Sequence, residues 1–244
     1  MNMKRIIAAV VCLIGFSFAG FAQKSSPRVS RKPVKNTLTD AEKETRFVRD
    51  LMKKMTLTEK IGQLSQYVGG ELLTGPKSGA VSDSLFVRGM VGSILNVGGV
   101  DNLRKLQQKN MESSRLKIPI LFAFDVIHGY KTIFPTPLAE SCSWDLALMY
   151  ETAKAAAIEA SASGIHWTFA PMVDVARDPR WGRIVEGAGE DTYLGCKIAE
   201  ARVRGFQWNL GKPNALFACA KHFVAYGAPQ AGRDYAPVDL SLST

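Results

Sequence analysis

From residue 91 onward the chain alternates short apolar runs with longer stretches of helical periodicity, and this alternation limits its possible folds more than any other feature. The run at 118–124 is apolar on both faces, which is typical of a parallel strand covered by helices on each side. Apolar runs lie at 91–95, 118–124, 166–170 and 216–220, and helical stretches at 101–111, 144–163 and 192–206. The sequence therefore predicts repeated β/α units and a parallel α/β fold.

Two architectures are compatible with repeated β/α units: a (β/α)8 TIM-like barrel and a doubly wound open sheet. The open sheet usually carries a glycine-rich phosphate-binding turn after its first strand. Gly98 and Gly99 do not form a Gly-x-Gly-x-x-Gly motif, and the chain contains no Gly-x-x-x-x-Gly-Lys-Ser/Thr motif. The barrel is therefore favoured. Because a whole barrel takes about 250 residues and only about the first four to five β/α units are recognisable, we expect an incomplete barrel.

Two helices are predicted before the first apolar run. In the segment 40–55 one stripe is apolar, formed by Phe47, Val48, Leu51, Met52 and Met55. Thr56 and Glu59 form a capping-box pattern at the start of a second helix, which carries Ile61 and Leu64. We expect both helices to pack their apolar residues against the core.

The N-terminus has the features of an export signal. Lys4 and Arg5 precede an apolar stretch at 6–18, and Gly20 and Ala22 supply small residues at a cleavage site. The stretch is too short for a lasting membrane anchor, although an uncleaved anchor is the alternative interpretation. We expect a signal peptide at 1–22, a basic flexible leader at 23–39 and a folded domain at 40–244, exported to the periplasm or the extracellular space.

The net charge of +9 is concentrated at the N-terminus. Residues 1–36 hold seven Lys and Arg and no acid, so the remainder has 24 basic and 22 acidic residues, a net charge of +2. A near-neutral body argues against a nucleic-acid partner, which requires clustered positive charge on the folded surface. A polyanion-binding role for the basic segment 24–35 is the alternative.

Neither the cysteines nor the histidines have the spacing of a metal site. Cys142, Cys196 and Cys219 are odd in number after the signal peptide and form no Cys-x-x-Cys pair, so their pairing stays open. The three histidines, His128, His166 and His222, also lack metal-ligand spacing. We therefore expect no metal and no organic cofactor.

Polar side chains follow the predicted strands at the end where a barrel builds its site. Asp125 ends the run at 118–124, and Lys221 and His222 end the run at 216–220. Asp125 has the acceptor capacity to hold two neighbouring hydroxyls of a polyhydroxylated ligand. The alternatives are an ion pair of Asp125 with Arg183 or Lys221, and a core position for His222.

A loop of about twenty residues, 171–191, is longer than ordinary connections, and long ordered loops are usually functional. Its acids and arginines predict a charge-compensated network. Glu186 and Glu190 could be interpreted as an acid/base pair. Neighbouring arginines, however, lower the pKa of a carboxyl group, and a carboxyl group with a low pKa is a poor general acid.

Four motifs in order resemble the N-terminal barrel domain of glycoside hydrolase family 3. They are Asp125-Val-Ile-His-Gly129, Arg177-Asp-Pro-Arg-Trp-Gly-Arg183, Glu190-Asp191 and Lys221-His-Phe-Val-Ala-Tyr-Gly227. The resemblance covers about 40–244. It implies that Asp125, Arg183, Lys221 and His222 bind the hydroxyls of the non-reducing-end sugar, with Arg180 and Trp181 supporting the pocket.

The resemblance also implies a retaining β-glucosidase acting on β-glucosides or oligosaccharides. The Val224-Ala225-Tyr226 sequence disfavours the glucosaminidase branch, and Asp125, where xylosidases usually have Glu, favours glucosides. The family's nucleophile Asp and acid/base Glu are expected beyond Thr244, together with the rest of the barrel and a second domain. We therefore expect an N-terminal fragment that is inactive alone; the alternative is a non-catalytic exported sugar-binding protein.

Overall fold

The computed structural model describes residues 39–69 and 81–241. The predicted signal peptide and the leader before residue 39 lie outside the described residues. The helices are α1 (Asp40–Lys54), α2 (Leu57–Gln63), α3 (Asp83–Val87), α4 (Val100–Ser113), α5 (Pro137–Ser141), α6 (Leu146–Ala162) and α7 (Thr192–Phe206). The strands are β1 (Gln66–Val68), β2 (Ser93–Leu95), β3 (Leu121–Phe124) and β4 (Trp167–Thr168), and 3-10 helices span Gly182–Glu186 and Gln230–Gly232.

The chain divides into two compact units, residues 1–46 and 47–244. The described part of the first unit contains the beginning of α1. The second unit contains the remaining elements, including the whole sheet and the predicted site residues.

The four strands form one parallel sheet in the order β1-β2-β3-β4. Gln66 lies opposite Ser93, which lies opposite Leu121, and Ala123 lies opposite Trp167. A doubly wound sheet reverses its strand order at a switch point, whereas consecutive strands of a barrel are neighbours throughout. The predicted parallel α/β fold is confirmed, and the sequential strand order is that of a partial barrel.

The predicted strand at 216–220 is not a regular strand in the structure. Two isolated parallel bridges align it beside β4 and the residues that follow, Trp167 with Phe217 and Met172 with Lys221. The Lys221 amide donates to the Pro171 carbonyl at 3.0 Å. Pro171 has no N–H for the ladder, which interrupts regular pairing at this point. The segment still brings Lys221 to the carboxyl end of the sheet.

The core of the second unit lies between the sheet and helices α6 and α7. Ile94, Phe122 and Phe206 are at most 2% exposed and belong to one cluster. The face that α6 presents to the core consists of small residues, Ala153, Ala156, Ala157 and Ala160. Gly205 of α7 permits close helix packing, because a Cβ there would lie 2.4 Å from the Tyr150 carbonyl oxygen.

A buried ion pair joins α5 to α7. Arg202 Nη1 lies 2.6 Å from Glu140 Oε2, and the two side chains are 4% and 3% exposed. Arg202 Nη2 also donates to the carbonyl oxygen of Ile127. The pair therefore fixes the backbone that follows Asp125, at the end of β3.

The prediction that α1 and α2 pack their apolar stripes against the core is wrong. No residue of α1 is buried, and Phe47 and Leu64 are 68% and 89% exposed. The capping box of α2 forms as predicted, with Thr56 and Glu59 bonding reciprocally. Arg115 bonds Glu59 through both carboxylate oxygens, so α2 turns its charged face, and not its apolar one, toward the rest of the unit.

Candidate active site

Asp125 and Lys221 are in direct contact at the carboxyl end of the sheet. Asp125 follows the last residue of β3, and Lys221 Nζ lies 2.9 Å from its Oδ1. The Lys221 side chain is 13% exposed and the Asp125 side chain 36%. Of the two ion-pair partners considered for Asp125, the structure pairs it with Lys221. Because a carboxylate has about four acceptor positions, this bond leaves capacity for a ligand.

Arg183 is held in the loop by Glu186. Both residues lie in the 3-10 helix, and Arg183 Nε and Nη2 lie 2.7 Å from the two carboxylate oxygens. Nη2 is also 3.5 Å from Met172 Sδ. The hydrogen bonds to Glu186 raise the pKa of the Arg183 guanidinium above its ordinary value, so it remains a cation. Both carboxylate oxygens of Glu186 are therefore bonded to Arg183, an arrangement that does not suit a general acid.

His222 is held by Asp174. Its Nδ1 lies 2.8 Å from Asp174 Oδ2, and its backbone N–H donates to the same oxygen at 3.2 Å. The Asp174 side chain is 1% exposed, whereas that of His222 is 30% exposed. His222 is therefore a partly accessible residue and not a core histidine. Asp174, grouped by sequence with the charge network of its loop, instead bonds a residue 48 positions away.

Tyr226 contacts both of these basic residues. Its ring centroid lies 4.6 Å from that of His222, and Arg183 Cζ lies 5.5 Å from the ring centroid. The Tyr226 hydroxyl donates to Asp234 Oδ1 at 2.7 Å, and Trp181 Nε1 donates to the same oxygen at 2.9 Å. Burial and the hydrogen bond with Asp234 raise the pKa of Tyr226 to about 12.

The structure thus brings the four predicted site residues into one connected cluster. Lys221 bonds Asp125 and precedes His222 in the chain, and Tyr226 connects His222 to Arg183. Three members were not identified as site residues from the sequence: Asp174, Tyr226 and Asp234. Asp174 and Tyr226 lie in or beside recognised motifs, but only the folded structure shows what they contact.

A second pair in the long loop follows the predicted charge compensation. Arg180 bonds both oxygens of Asp178, at 2.7 to 3.2 Å, and these bonds lower the pKa of Asp178 to about 2. A cavity of about 320 Å³ separates this loop from the start of α7, and Asp174 and Cys196 are among its lining residues.

Several general properties concern the described part of the chain alone. Among residues 39–69 and 81–241, no group of three or more His, Cys, Asp or Glu side chains is placed to hold a metal ion. In the same part of the chain no helix has the length and apolarity to cross a membrane. Cys142, Cys196 and Cys219 are free thiols.

Comparison with known proteins identifies the fold family. Residues 56–243 match the glycosyl hydrolase family 3 N terminal domain. A periplasmic beta-glucosidase of Salmonella typhimurium is 44% identical over 199 residues, covering 80% of this chain and 25% of that protein. A lysosomal beta glucosidase of Dictyostelium discoideum is 30% identical over 220 residues, covering 77% of this chain and 27% of that protein.

A solved structure gives the same result. The beta-glucosidase from Listeria innocua in complex with isofagomine superposes with a TM-score of 0.74 at 40% identity, covering 81% of this chain and 28% of that one. The chain spans about a quarter of the length of the curated relatives that it matches. Sequence, strand order and structural likeness agree that the chain belongs to glycosyl hydrolase family 3, within the N-terminal domain of that family.

Proposed function

We propose that this chain provides the sugar-binding part of an exported, retaining β-glucosidase that acts on the non-reducing-end β-D-glucosyl residue of glucosides or oligosaccharides. The observation that carries the proposal is the contact of Asp125 with Lys221 at the carboxyl end of the sheet, connected to His222 and Arg183. Active sites of barrels lie at this end.

The four side chains offer a sugar complementary hydrogen bonds. Asp125 accepts from hydroxyls, Lys221 and Arg183 donate to them, and the His222 ring has one nitrogen not engaged by Asp174. Charged partners make stronger hydrogen bonds to hydroxyls than neutral ones. A glucoside differs from a xyloside in carrying a 6-hydroxyl, and the shorter acid Asp125, where xylosidases of the family usually have Glu, supports a glucoside over a xyloside.

The carboxylates of the cluster support binding and not proton transfer. A retaining reaction needs a nucleophile and a protonated acid about 5 to 5.5 Å apart. Asp125, Glu186 and Asp174 are instead each hydrogen-bonded to a basic side chain: Lys221, Arg183 and His222, respectively. We therefore assign sugar binding to Asp125 and catalysis to none of the three carboxylates, and the isolated chain should not hydrolyse glucosides.

Binding is tested by NMR titration of the isotope-labelled 244-residue chain with D-glucose, and with D-xylose in parallel. Glucose should shift the amide signals of Lys221 and His222 and saturate at millimolar concentrations, and xylose should bind more weakly. A chain that shows no glucose-dependent shifts, or that binds xylose as well as glucose, contradicts the proposal.

Catalysis is tested with the same protein and an aryl β-glucoside. We expect no release of the aryl alcohol above the rate of a heat-denatured sample; measurable turnover by the isolated chain would show that it contains a nucleophile and an acid. The second candidate, a non-catalytic sugar-binding protein, is favoured by the same three paired carboxylates. Sequencing the gene beyond Thr244 for a Ser-Asp strand motif distinguishes the two functions.

Export rests on the charged and apolar pattern of residues 1–22, and the periplasmic location of the Salmonella relative supports it. Expression with the native N-terminus in a bacterial host should give a processed protein in the periplasm or the medium, beginning near Gln23. A cytoplasmic protein that retains Met1 would refute export.

A further inference from the structure

Asp174 is a buried acid that bonds His222 of the proposed sugar site but is not itself one of the proposed sugar-binding residues. Its side chain is 1% exposed, and its Oδ2 accepts from both the backbone N–H and the ring Nδ1 of His222. Its other oxygen, Oδ1, is buried without a hydrogen-bond partner among the described residues. A buried carboxylate depends strongly on the hydrogen bonds that it does make. The two bonds from His222 are therefore the contacts that keep Asp174 in place, and Asp174 in turn fixes His222.

The contact with Asp174 determines where the proton of the His222 ring lies. An ionised carboxylate can only accept, so with Asp174 in that form the proton of the Nδ1–Oδ2 hydrogen bond lies on Nδ1. In the described part of the chain Nε2 has no hydrogen-bond partner, and the side chain is 30% exposed. Nε2 is thus the ring nitrogen available to a ligand. Tyr226 packs edge-to-face at 4.6 Å and restricts rotation of the same ring.

We propose that Asp174 is a positioning residue for the sugar site, which holds His222 as the Nδ1–H form and so presents Nε2 to a hydroxyl of the bound glucosyl residue. The inference rests on the proposed function and adds to it the residue that sets the orientation and tautomer of His222. Asp174 does not touch the sugar itself. Its effect passes through the ring that it bonds, as carboxylates behind metal-binding or catalytic histidines act through the imidazole.

Two substitutions separate acceptor capacity from charge. Asp174→Leu has the same branching at Cγ and no acceptor, so it removes both bonds to His222. Asp174→Asn keeps a carbonyl acceptor and loses the charge. Glu59→Gln is the matched control, because Glu59 is also a largely buried carboxylate bonded to a basic side chain but lies in α2 and contacts Arg115.

The main readout is the nitrogen NMR spectrum of the histidine rings near neutral pH, with signals assigned through His128→Asn and His166→Asn. In the wild-type chain His222 should be protonated at Nδ1. Asp174→Leu should move the ring toward the Nε2–H form and weaken glucose binding about fivefold, the value of one lost hydrogen bond. Asp174→Asn should retain the Nδ1–H form and most of the affinity, and Glu59→Gln should change neither.

The outcomes distinguish this inference from the proposed function. An Asp174→Leu chain that keeps both the Nδ1–H form and its glucose affinity overturns the inference, whatever its stability. If that variant does not fold, the wild-type spectrum decides, because a His222 ring without a proton on Nδ1 also overturns it. Failure of the wild-type chain to bind glucose, with His222 protonated at Nδ1, overturns the proposed function and leaves Asp174 as the residue that orients the ring.

Discussion

Lys221 Nζ lies 2.9 Å from Asp125 Oδ1, and this contact joins two segments that are 96 residues apart. Asp125 comes from the end of β3, and Lys221 from the segment that is only bridged to the sheet. The contact places an acceptor and a donor side by side at the edge where the strands end. Asp125 and Lys221 are therefore close enough for two neighbouring hydroxyls of one ligand to bond one side chain each.

Asp125→Asn should weaken glucose binding by about 10- to 100-fold, because hydrogen bonds to charged groups contribute roughly 1.5–3 kcal/mol. The amide keeps the size of the side chain but loses the charge and half of the acceptor capacity, and it leaves Lys221 without its anion. Titration of both proteins with D-glucose measures the change. Asp83→Asn is the control, since Asp83 also bonds a lysine, Lys109, but at an exposed position away from the sheet end. If Asp83→Asn weakened glucose binding as much as Asp125→Asn, the assignment of Asp125 to the sugar site would be contradicted.

Glu59→Gln should lower the free energy of unfolding by roughly 1–2 kcal/mol at neutral pH, because the bonds from Arg115 then reach a neutral amide instead of a carboxylate, while Gln still completes the capping box. Hydrogen bonds from Arg115 and Thr56 hold the pKa of Glu59 at about 2, below the ordinary value of 4.5. Its contribution is therefore complete above about pH 4.5 and is lost as the pH falls toward 2.

Thermal unfolding of wild type and Glu59→Gln across that range checks the sign. The difference in Tm should be largest near neutral pH and should narrow as the pH falls below about 4.5. Glu151→Gln serves as a comparison. Glu151 lies in α6, is 61% exposed and pairs at 3.4 Å with Lys154 of that helix. Such surface pairs contribute little. A Tm difference for Glu59→Gln that is constant with pH would contradict the assigned role.

Tyr226 should ionise late, with a pKa of about 12 set by burial and by its bond to Asp234. Since the folded pKa lies above the ordinary 10, the folded state is destabilised as the pH rises from about 10 to 12. Ultraviolet titration should show a late ionisation step that Tyr226→Phe removes. Tyr193→Phe, at a position that is 73% exposed, should leave that step in place. Persistence of the late step in Tyr226→Phe would refute the assignment.

Glu140→Gln should destabilise the second unit by about 3–5 kcal/mol, because it leaves the Arg202 charge buried without its partner. The paired replacement of Glu140 by Leu and Arg202 by Met should cost less, since it removes both charges together. Denaturant unfolding of the two proteins and of wild type gives the comparison. A double variant that is less stable than the single one would contradict this account. Because Arg202 also bonds the Ile127 carbonyl, both variants should alter the NMR signals of the segment after Asp125.

Local patterns were sufficient to predict much of the fold. The helix predicted at 192–206 is α7, with the same bounds, and the Thr56–Glu59 capping box forms as predicted. These features depend on neighbours within four residues, so the sequence carries their full signal. β1 was missed because it has three residues and begins with Gln66, which gives too little periodicity to recognise.

Features that depend on distant partners were harder to predict. Helix α1 is amphipathic, and this pattern predicts that its apolar stripe can pack against another surface. The pattern does not say which surface, and Phe47 in the stripe is 68% exposed. The four site residues are predicted from their motifs, and an ion pair of Asp125 with Arg183 or Lys221 is the alternative to ligand binding; the structure contains the pair with Lys221. Arg183 is not the partner of Asp125, because Glu186, three residues away in the loop, forms the ion pair with the Arg183 guanidinium.

Asp234 fastens two parts of the site with one oxygen atom. Its Oδ1 receives the indole N–H of Trp181 and the hydroxyl of Tyr226, which lie 53 and 8 residues away. The residues from 227 to 234 therefore close a loop of the chain through the bonds of Asp234 to these two aromatic side chains. A protease cut within this stretch would separate Asp234 from Tyr226 along the chain without breaking any strand of the sheet, whereas Trp181, which is 1% exposed, would keep its packing against Met172 and Ala176.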